Sequence, residues 1–140
     1  MSCVPLETAA RGKALKERSL KQILIVDDSA VIRRVARRIL ENFHFRTAEA
    51  ESGFEALAEC KTAMPDVILV DWRMPKMDGL EFVGALRKLP GGDAPKVLYC
   101  AVEGDAGHVA RAKRAGADDY IMKPFDAEIL RRKFIQNGLL

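Results

Sequence analysis

Five short apolar runs alternate with five longer amphipathic segments, a pattern that predicts a doubly wound α/β sandwich around a five-stranded parallel sheet. Two further observations support that class. Ile23, Leu24, Ile25 and Val26 are consecutive, as are Val67, Ile68, Leu69 and Val70, and unbroken apolar runs suit strands covered on both faces. Chain breakers stand between the units: Pro65, Pro75, Gly79, Pro90, Gly91, Gly92, Pro95 and Gly116.

The elements follow in order. QILIVD (22–27) precedes a helix over 30–42, where Ile32, Val35, Ala36, Ile39 and Phe43 recur at steps of three and four as one apolar stripe. FRTAEA (45–50) leads to a helix over 53–62, opened by Ser52 and Glu55 in the S-x-x-E pattern of a capping box. DVILVD (66–71) is followed by a helix over 79–88, and KVLYCA (96–101) by one over 106–115. DDYIMK (118–123) precedes the last helix, 127–136, with Asp126 as its cap. Residues 1–20 lack a sustained stripe and read as a basic tail, flexible or partly helical, which leaves 21–140 as one domain.

A formal net charge of +3 is too mild to indicate nucleic acid, although Arg11, Lys13, Lys16, Arg18 and Lys21 gather at one end and Arg131, Arg132 and Lys133 at the other. Cys3, Cys60 and Cys100 form no CxxC pair, which argues against a zinc site or disulfide scaffold and for a reducing cytoplasm. No apolar stretch has the length of a signal peptide or a membrane span, so neither export nor a membrane location is expected.

In an open parallel sheet, functional groups collect beyond the carboxyl ends of the strands. Asp27 and Asp28 close the first run and Asp71 closes the third, so the three acids meet if those strands are neighbours. Like charges a few Å apart repel, and a hard divalent cation with oxygen ligands, Mg²⁺, relieves the repulsion. Lys123 closes the fifth run and is placed to balance an incoming anion. No glycine loop follows the first strand, so a nucleotide cradle of the G-x-G-x-x-G or Walker type is not expected. A carboxylate facing Mg²⁺ and a lysine suits acceptance of a phosphoryl group as an acyl phosphate.

ILIVDDS, DVILVDWRMPKMDGLEF and AGADDYIMKPF together resemble the receiver domain of bacterial response regulators, from about Ile23 to the end of the chain. The layout is similar to CheY-like single-domain regulators, of the alphaproteobacterial chemotaxis type. The resemblance implies a flavodoxin-like (βα)5 fold with strand order 2-1-3-4-5. It implies Asp71 as phosphoacceptor, Mg²⁺ on Asp27, Asp28, Asp71 and the backbone carbonyl of Arg73, Lys123 on the phosphoryl group, and a cis bond before Pro124. It makes the protein a phosphoacceptor rather than an enzyme, fed by a sensor histidine kinase or phosphotransfer protein. With no effector or DNA-binding domain expected after residue 140, output is expected through protein contact at the face of the fourth helix, fifth strand and fifth helix, for instance with a flagellar motor component. A haloacid-dehalogenase-type phosphatase would need D-x-D after its first strand, where this chain has VDDSAV.

The chain also departs from the pattern. Receivers carry Thr or Ser at the position of Ala101, whose methyl cannot donate the usual bond, and strand alternation turns the neighbouring Cys100 to the opposite face. Arg73 and Glu103 occupy positions that tune hydrolysis in the family, and either pair over Asp71 or point into solvent. Tyr120 stands where receivers carry a switch aromatic; the plainer reading is a half-buried tyrosine at a strand edge. Trp72, next to the acceptor, is placed to cover the pocket, whereas Met74, Met77 and Met122 read as packing and the isolated His44 and His108 receive no role. Arg131, Arg132 and Lys133 read either as a solvated helix face or as an anion site, the latter implying an adaptor regulated by cyclic di-GMP, since guanidinium groups suit phosphates and guanines.

Overall fold

A computed structural model of the protein describes residues 20–102 and 106–140. The expected tail, 1–20, lies outside these residues except for Leu20, as does Glu103. The described chain runs β1 (Gln22–Val26), α1 (Ala30–Asn42), β2 (Arg46–Ala50), α2 (Gly53–Thr62), β3 (Val67–Asp71), α3 (Gly79–Arg87), β4 (Lys96–Val102), α4 (Ala106–Ala115), β5 (Asp119–Lys123) and α5 (Ala127–Gln136). The strands form one sheet in the order β2-β1-β3-β4-β5, parallel at every pairing. This is the flavodoxin-like arrangement that the sequence predicts.

Boundaries differ from the expected ones by single residues, and two of the differences have a visible cause. Asp66 and Asp118 stand just before β3 and β5, and each carboxylate accepts a bond from the first amides of a neighbouring strand. Gln22 N–H donates to Asp66 at 2.8 Å and Val97 N–H to Asp118 at 2.8 Å. Both aspartates therefore anchor the sheet's amino edge. Ser52 accepts from Glu55 N–H at 3.1 Å and Asp126 from Ile129 N–H at 2.9 Å, as expected of caps. The box expected at Ser52 is only half made, because the Glu55 carboxylate accepts from Glu51 N–H at 3.3 Å instead of from the cap amide, whereas a full capping box opens α3 between Asp78 and Glu81.

Alternation along the strands divides the interior into two layers. Leu24, Val26, Ile68, Val70, Val97 and Tyr99 pack with Ala56 of α2, Phe82 and Leu86 of α3 and Ala112 of α4. Ile23, Ile25, Val67, Leu69, Leu98, Cys100 and Ile121 pack with Ala36 and Leu40 of α1 and Leu130 and Phe134 of α5. Each fully buried large side chain contributes roughly 1.5–3 kcal/mol relative to exposure. Phe134 adds an edge-on contact with Phe45, centroids 5.3 Å apart. The α1 stripe is rotated from its expected centre. Ala36 and Leu40 are its buried pair, while Val35 is 45% exposed.

Asp119, at the start of β5, docks α5. It accepts from Lys133 Nζ at 3.2 Å and Asn137 Nδ2 at 2.9 Å, and also from Tyr120 N–H at 2.8 Å. Burial acts to raise the Asp119 carboxyl, but the bonds from Asn137, the Tyr120 amide and Lys133 outweigh it and hold the group below its ordinary value. A depressed folded value means that the stabilisation is present above the unfolded carboxylate value, about 3.9, and is lost as pH falls through the folded one. Asp119→Asn is therefore expected to cost about 1 kcal/mol in urea unfolding at neutral pH. The gap from wild type should close on acidification below the ordinary carboxylate range; a gap independent of pH would assign the effect to shape rather than charge.

Candidate functional site

Because β1 pairs directly with β3, Val26 opposite Val70, their carboxyl ends lie side by side. Asp27, one residue past β1, and Asp71, the last of β3, emerge there and are only 3% and 7% exposed, while Asp28 is open to solvent. Carboxylate oxygens of all three fall within 4.8 Å of one another. Lys123 reaches the cluster from the end of β5, two strands away from β3. Its Nζ lies 2.9 Å from Asp27 Oδ2 and 2.9 Å from Asp71 Oδ1. The four residues expected to share a site do share one, and the Lys123–Pro124 bond is cis.

The main chain around the acids is held from several sides. Asp27 N–H donates to the Ala50 carbonyl at 3.1 Å, and Asp27 Oδ1 accepts from Ser29 N–H at 2.9 Å. Ser29 in turn caps α1 through Ile32 N–H. The Arg33 guanidinium donates to the Asp27 carbonyl at 2.6 Å and to Glu49 of β2 at 3.0 Å. Glu49 also accepts from Arg37, and these bonds hold its carboxyl low against the opposing effect of burial. On the other side, Gly79 N–H donates to the Trp72 carbonyl at 2.9 Å. A Cβ on Gly79 would stand 2.7 Å from the Asp71 carbonyl oxygen, so only glycine lets α3 start this close to Asp71.

Burial pushes the Asp71 carboxyl above its ordinary value; Lys123 opposes the shift, and the Asp27 and Asp28 charges reinforce it. Lys123 shifts up: burial acts to lower it, but its bonds to Asp27 and Asp71 prevail. Three carboxylates thus face one ammonium. A divalent ion with oxygen ligands matches the remaining charge, and the donor set holds neither nitrogen nor sulfur. An open depression of about 390 Å³ adjoins the cluster, lined by Asp28, Trp72, Arg73, Met74, Pro75 and Asp78.

The other expected residues are distributed as follows. Arg73 places its guanidinium carbon 5.4 Å from the Trp72 ring centroid, so its side chain packs on the tryptophan; its expected partner, Glu103, lies outside the described residues. Ala101 is buried in the layer with Val97 and Tyr99, and Cys100 in the opposite layer with Leu98, as alternation requires. Register pairs Asp71 with Cys100, but complete burial pushes that thiol far above its ordinary value and keeps it a neutral, weak donor. Met74, Met77 and Met122 pack against the core.

Tyr120 is half-buried, with Lys133 Nζ 4.1 Å and Lys113 Nζ 6.0 Å from its ring centroid. Arg131, Arg132 and Lys133 do not converge. Successive helical positions diverge by about 100°, Lys133 is bonded to Asp119, and Arg132 is bonded to Glu128 at 3.1 Å.

Arg33, Glu49, Gly79 and His108 are site neighbours that sequence reasoning missed. His108 of α4 stacks on Trp72, centroids 3.8 Å apart and planes inclined by 27°. A signal existed only for Arg33: it falls one helical turn after the cap Ser29, at the step that returns a side chain over the β1 end.

The response regulator receiver domain family matches residues 23–135. The chemotaxis protein CheY of Listeria monocytogenes is 39% identical over 109 residues, covering 76% of this chain and 89% of that protein. CheY of Halobacterium salinarum is 38% identical over 105 residues, covering 75% and 86%. The structure of the chemotaxis response regulator CheY4 of Vibrio cholerae superposes with a TM-score of 0.80 at 32% identity, over 87% of this chain and all of that one. No described helix is long and apolar enough to cross a membrane. Fold, motif order and relatives agree, and the chain belongs to the response regulator receiver family, as a CheY-type receiver of two-component signalling.

Proposed function

We propose that Asp71 accepts a phosphoryl group from a phosphohistidine on a sensor kinase or phosphotransfer protein, and that this chain acts as a phosphoacceptor rather than as an enzyme on other substrates. The observation that carries the reading is the Lys123 ammonium, placed 2.9 Å from both Asp27 and Asp71 within a three-carboxylate cluster. In transfer, the phosphorus–nitrogen bond to the donor imidazole breaks and a phosphorus–oxygen bond to the Asp71 carboxylate forms. Hydrolysis by water returns the carboxylate and inorganic phosphate.

Mg²⁺ suits the donor set, with Asp27, Asp28, Asp71 and the Arg73 backbone carbonyl as the residues that would hold it; when bound, it neutralises charge on the transferring group. Lys123 is the residue free to exchange partners. Its bond to Asp71 can pass to a phosphoryl oxygen while its bond to Asp27 keeps the ammonium in place. Arg33 and Ser29 hold the turn that aims Asp27.

Output is by altered protein binding at the surface of α4, β5 and α5, where Tyr120 lies between two lysines. The chemotaxis relatives support a motility partner, such as a flagellar motor component, and a cytoplasmic setting. Control by cyclic di-GMP on Arg131, Arg132 and Lys133 is the weaker reading, because Arg132 and Lys133 already have acidic partners.

Incubation with a small phosphodonor and Mg²⁺, followed by intact mass measurement, should add one phosphoryl group to wild type and none to Asp71→Asn. Addition to both would overturn the assignment of the acceptor. Arg33→Ala is expected to weaken Mg²⁺ binding about 10-fold, the usual cost of losing a residue that orients a ligand. Trp72 fluorescence would follow the titration, with Arg37→Ala unchanged because that guanidinium bonds Glu41 and Glu49 and not the Asp27 carbonyl.

A further inference from the structure

We propose that His108 is a positioning residue through which the state of Asp71 reaches α4, by way of its stack on Trp72. The inference rests on the phosphoacceptor reading and concerns how that event leaves the site.

Three observations converge on it. First, the hydroxyl through which a strand-end residue would follow a phosphoryl group is missing: Ala101 ends in a methyl and is buried in the core. The adjacent Cys100 is a buried neutral thiol in the opposite layer. A different contact must carry the message from β3 to α4.

Second, Trp72 is covalently next to the acceptor, and its main chain is clamped at both ends. Its N–H donates to the Cys100 carbonyl at 3.2 Å, and its carbonyl accepts from Gly79 N–H at 2.9 Å. The Trp72 main chain is thus tied to β4 on one side and to α3 on the other, which leaves its indole ring as the part that reaches beyond these two elements.

Third, that ring meets α4 directly. The His108 imidazole lies on it at 3.8 Å between centroids with an inclination of 27°, and Arg73 brings a guanidinium to 5.4 Å from the indole centroid. His108 belongs to the first half of α4 (Ala106–Ala115), so a shift of its ring moves the helix end nearest the site. A flat stack is sensitive to small changes in ring offset and tilt, which makes it a suitable relay for a movement smaller than a side-chain flip. It also allows replacement of the lost hydroxyl without any polar donor in the sheet.

The test follows amide hydrogen exchange across α4 in full-length wild type, His108→Ala and His108→Phe, each with and without beryllofluoride and Mg²⁺ as the phosphoryl mimic. Intact mass after a small phosphodonor is recorded in parallel. Wild type should show a change in α4 exchange on adding the mimic. His108→Ala should retain phosphorylation of Asp71 but lose the α4 change by about fivefold or more, the lower end of ordinary allosteric coupling. His108→Phe keeps an aromatic ring on Trp72 and should retain most of the response.

An α4 response in His108→Ala equal to that of wild type would overturn the proposal. So would a loss in His108→Phe as large as in His108→Ala, because the stack would then not be the link. Failure of wild type to accept a phosphoryl group would overturn the phosphoacceptor reading and this inference with it, an outcome that the mass measurement separates from the other two.

Discussion

One ammonium shared by two buried carboxylates is the interaction on which the site depends. Asp27 and Asp71 sit almost fully out of water, and the Lys123 ammonium between them offsets the repulsion of two neighbouring carboxylates. Lys123 sets one positive charge against both, and Asp28 at the rim leaves the cluster short of positive charge. The remaining negative charge, borne on oxygen donors alone, suits a divalent cation.

The fold supplies this geometry through strand order. The neighbouring positions of β1 and β3 bring the acids together, and β5, separated from β3 by β4, is bridged by the length of a lysine side chain. Around that frame, each stretch of main chain is fixed by a different element. Arg33 of α1 holds the Asp27 carbonyl, Gly79 admits the start of α3 against Asp71, and β4 takes the Trp72 amide. The Trp72–His108 stack joins the end of β3 to α4, and Tyr120 of β5 lies between Lys113 of α4 and Lys133 of α5.

Much of this was legible in the sequence because it follows from local periodicity. Runs such as Val67 to Val70, apolar at every position, announce a strand covered on both faces, and acids at strand ends announce a site in a parallel sheet. What escaped was set by tertiary contact. Val35 fits the α1 stripe by spacing, yet the helix is rotated so that Ala36 and Leu40 carry the contact. Asp66 and Asp118 read as strand residues but serve neighbouring strands with their side chains. Lys133 reads as a free cation beside Arg131 and Arg132, although Asp119 claims it from the start of β5. Nothing within ten residues of His108 names Trp72 as its partner; the stack exists only because β3 and α4 meet in space.

The most direct test of the charge imbalance is thermal unfolding across a Mg²⁺ titration, comparing wild type with Asp28→Asn. Ligands that bind only the folded state raise the midpoint by an amount that grows with the logarithm of their concentration relative to Kd. Asp28 is exposed and outside both core layers, so its replacement leaves the fold intact while removing one ligand oxygen charge. The account predicts a midpoint that climbs with Mg²⁺ in wild type and hardly moves in Asp28→Asn. Equal climbs in the two proteins, or none in wild type, would contradict it.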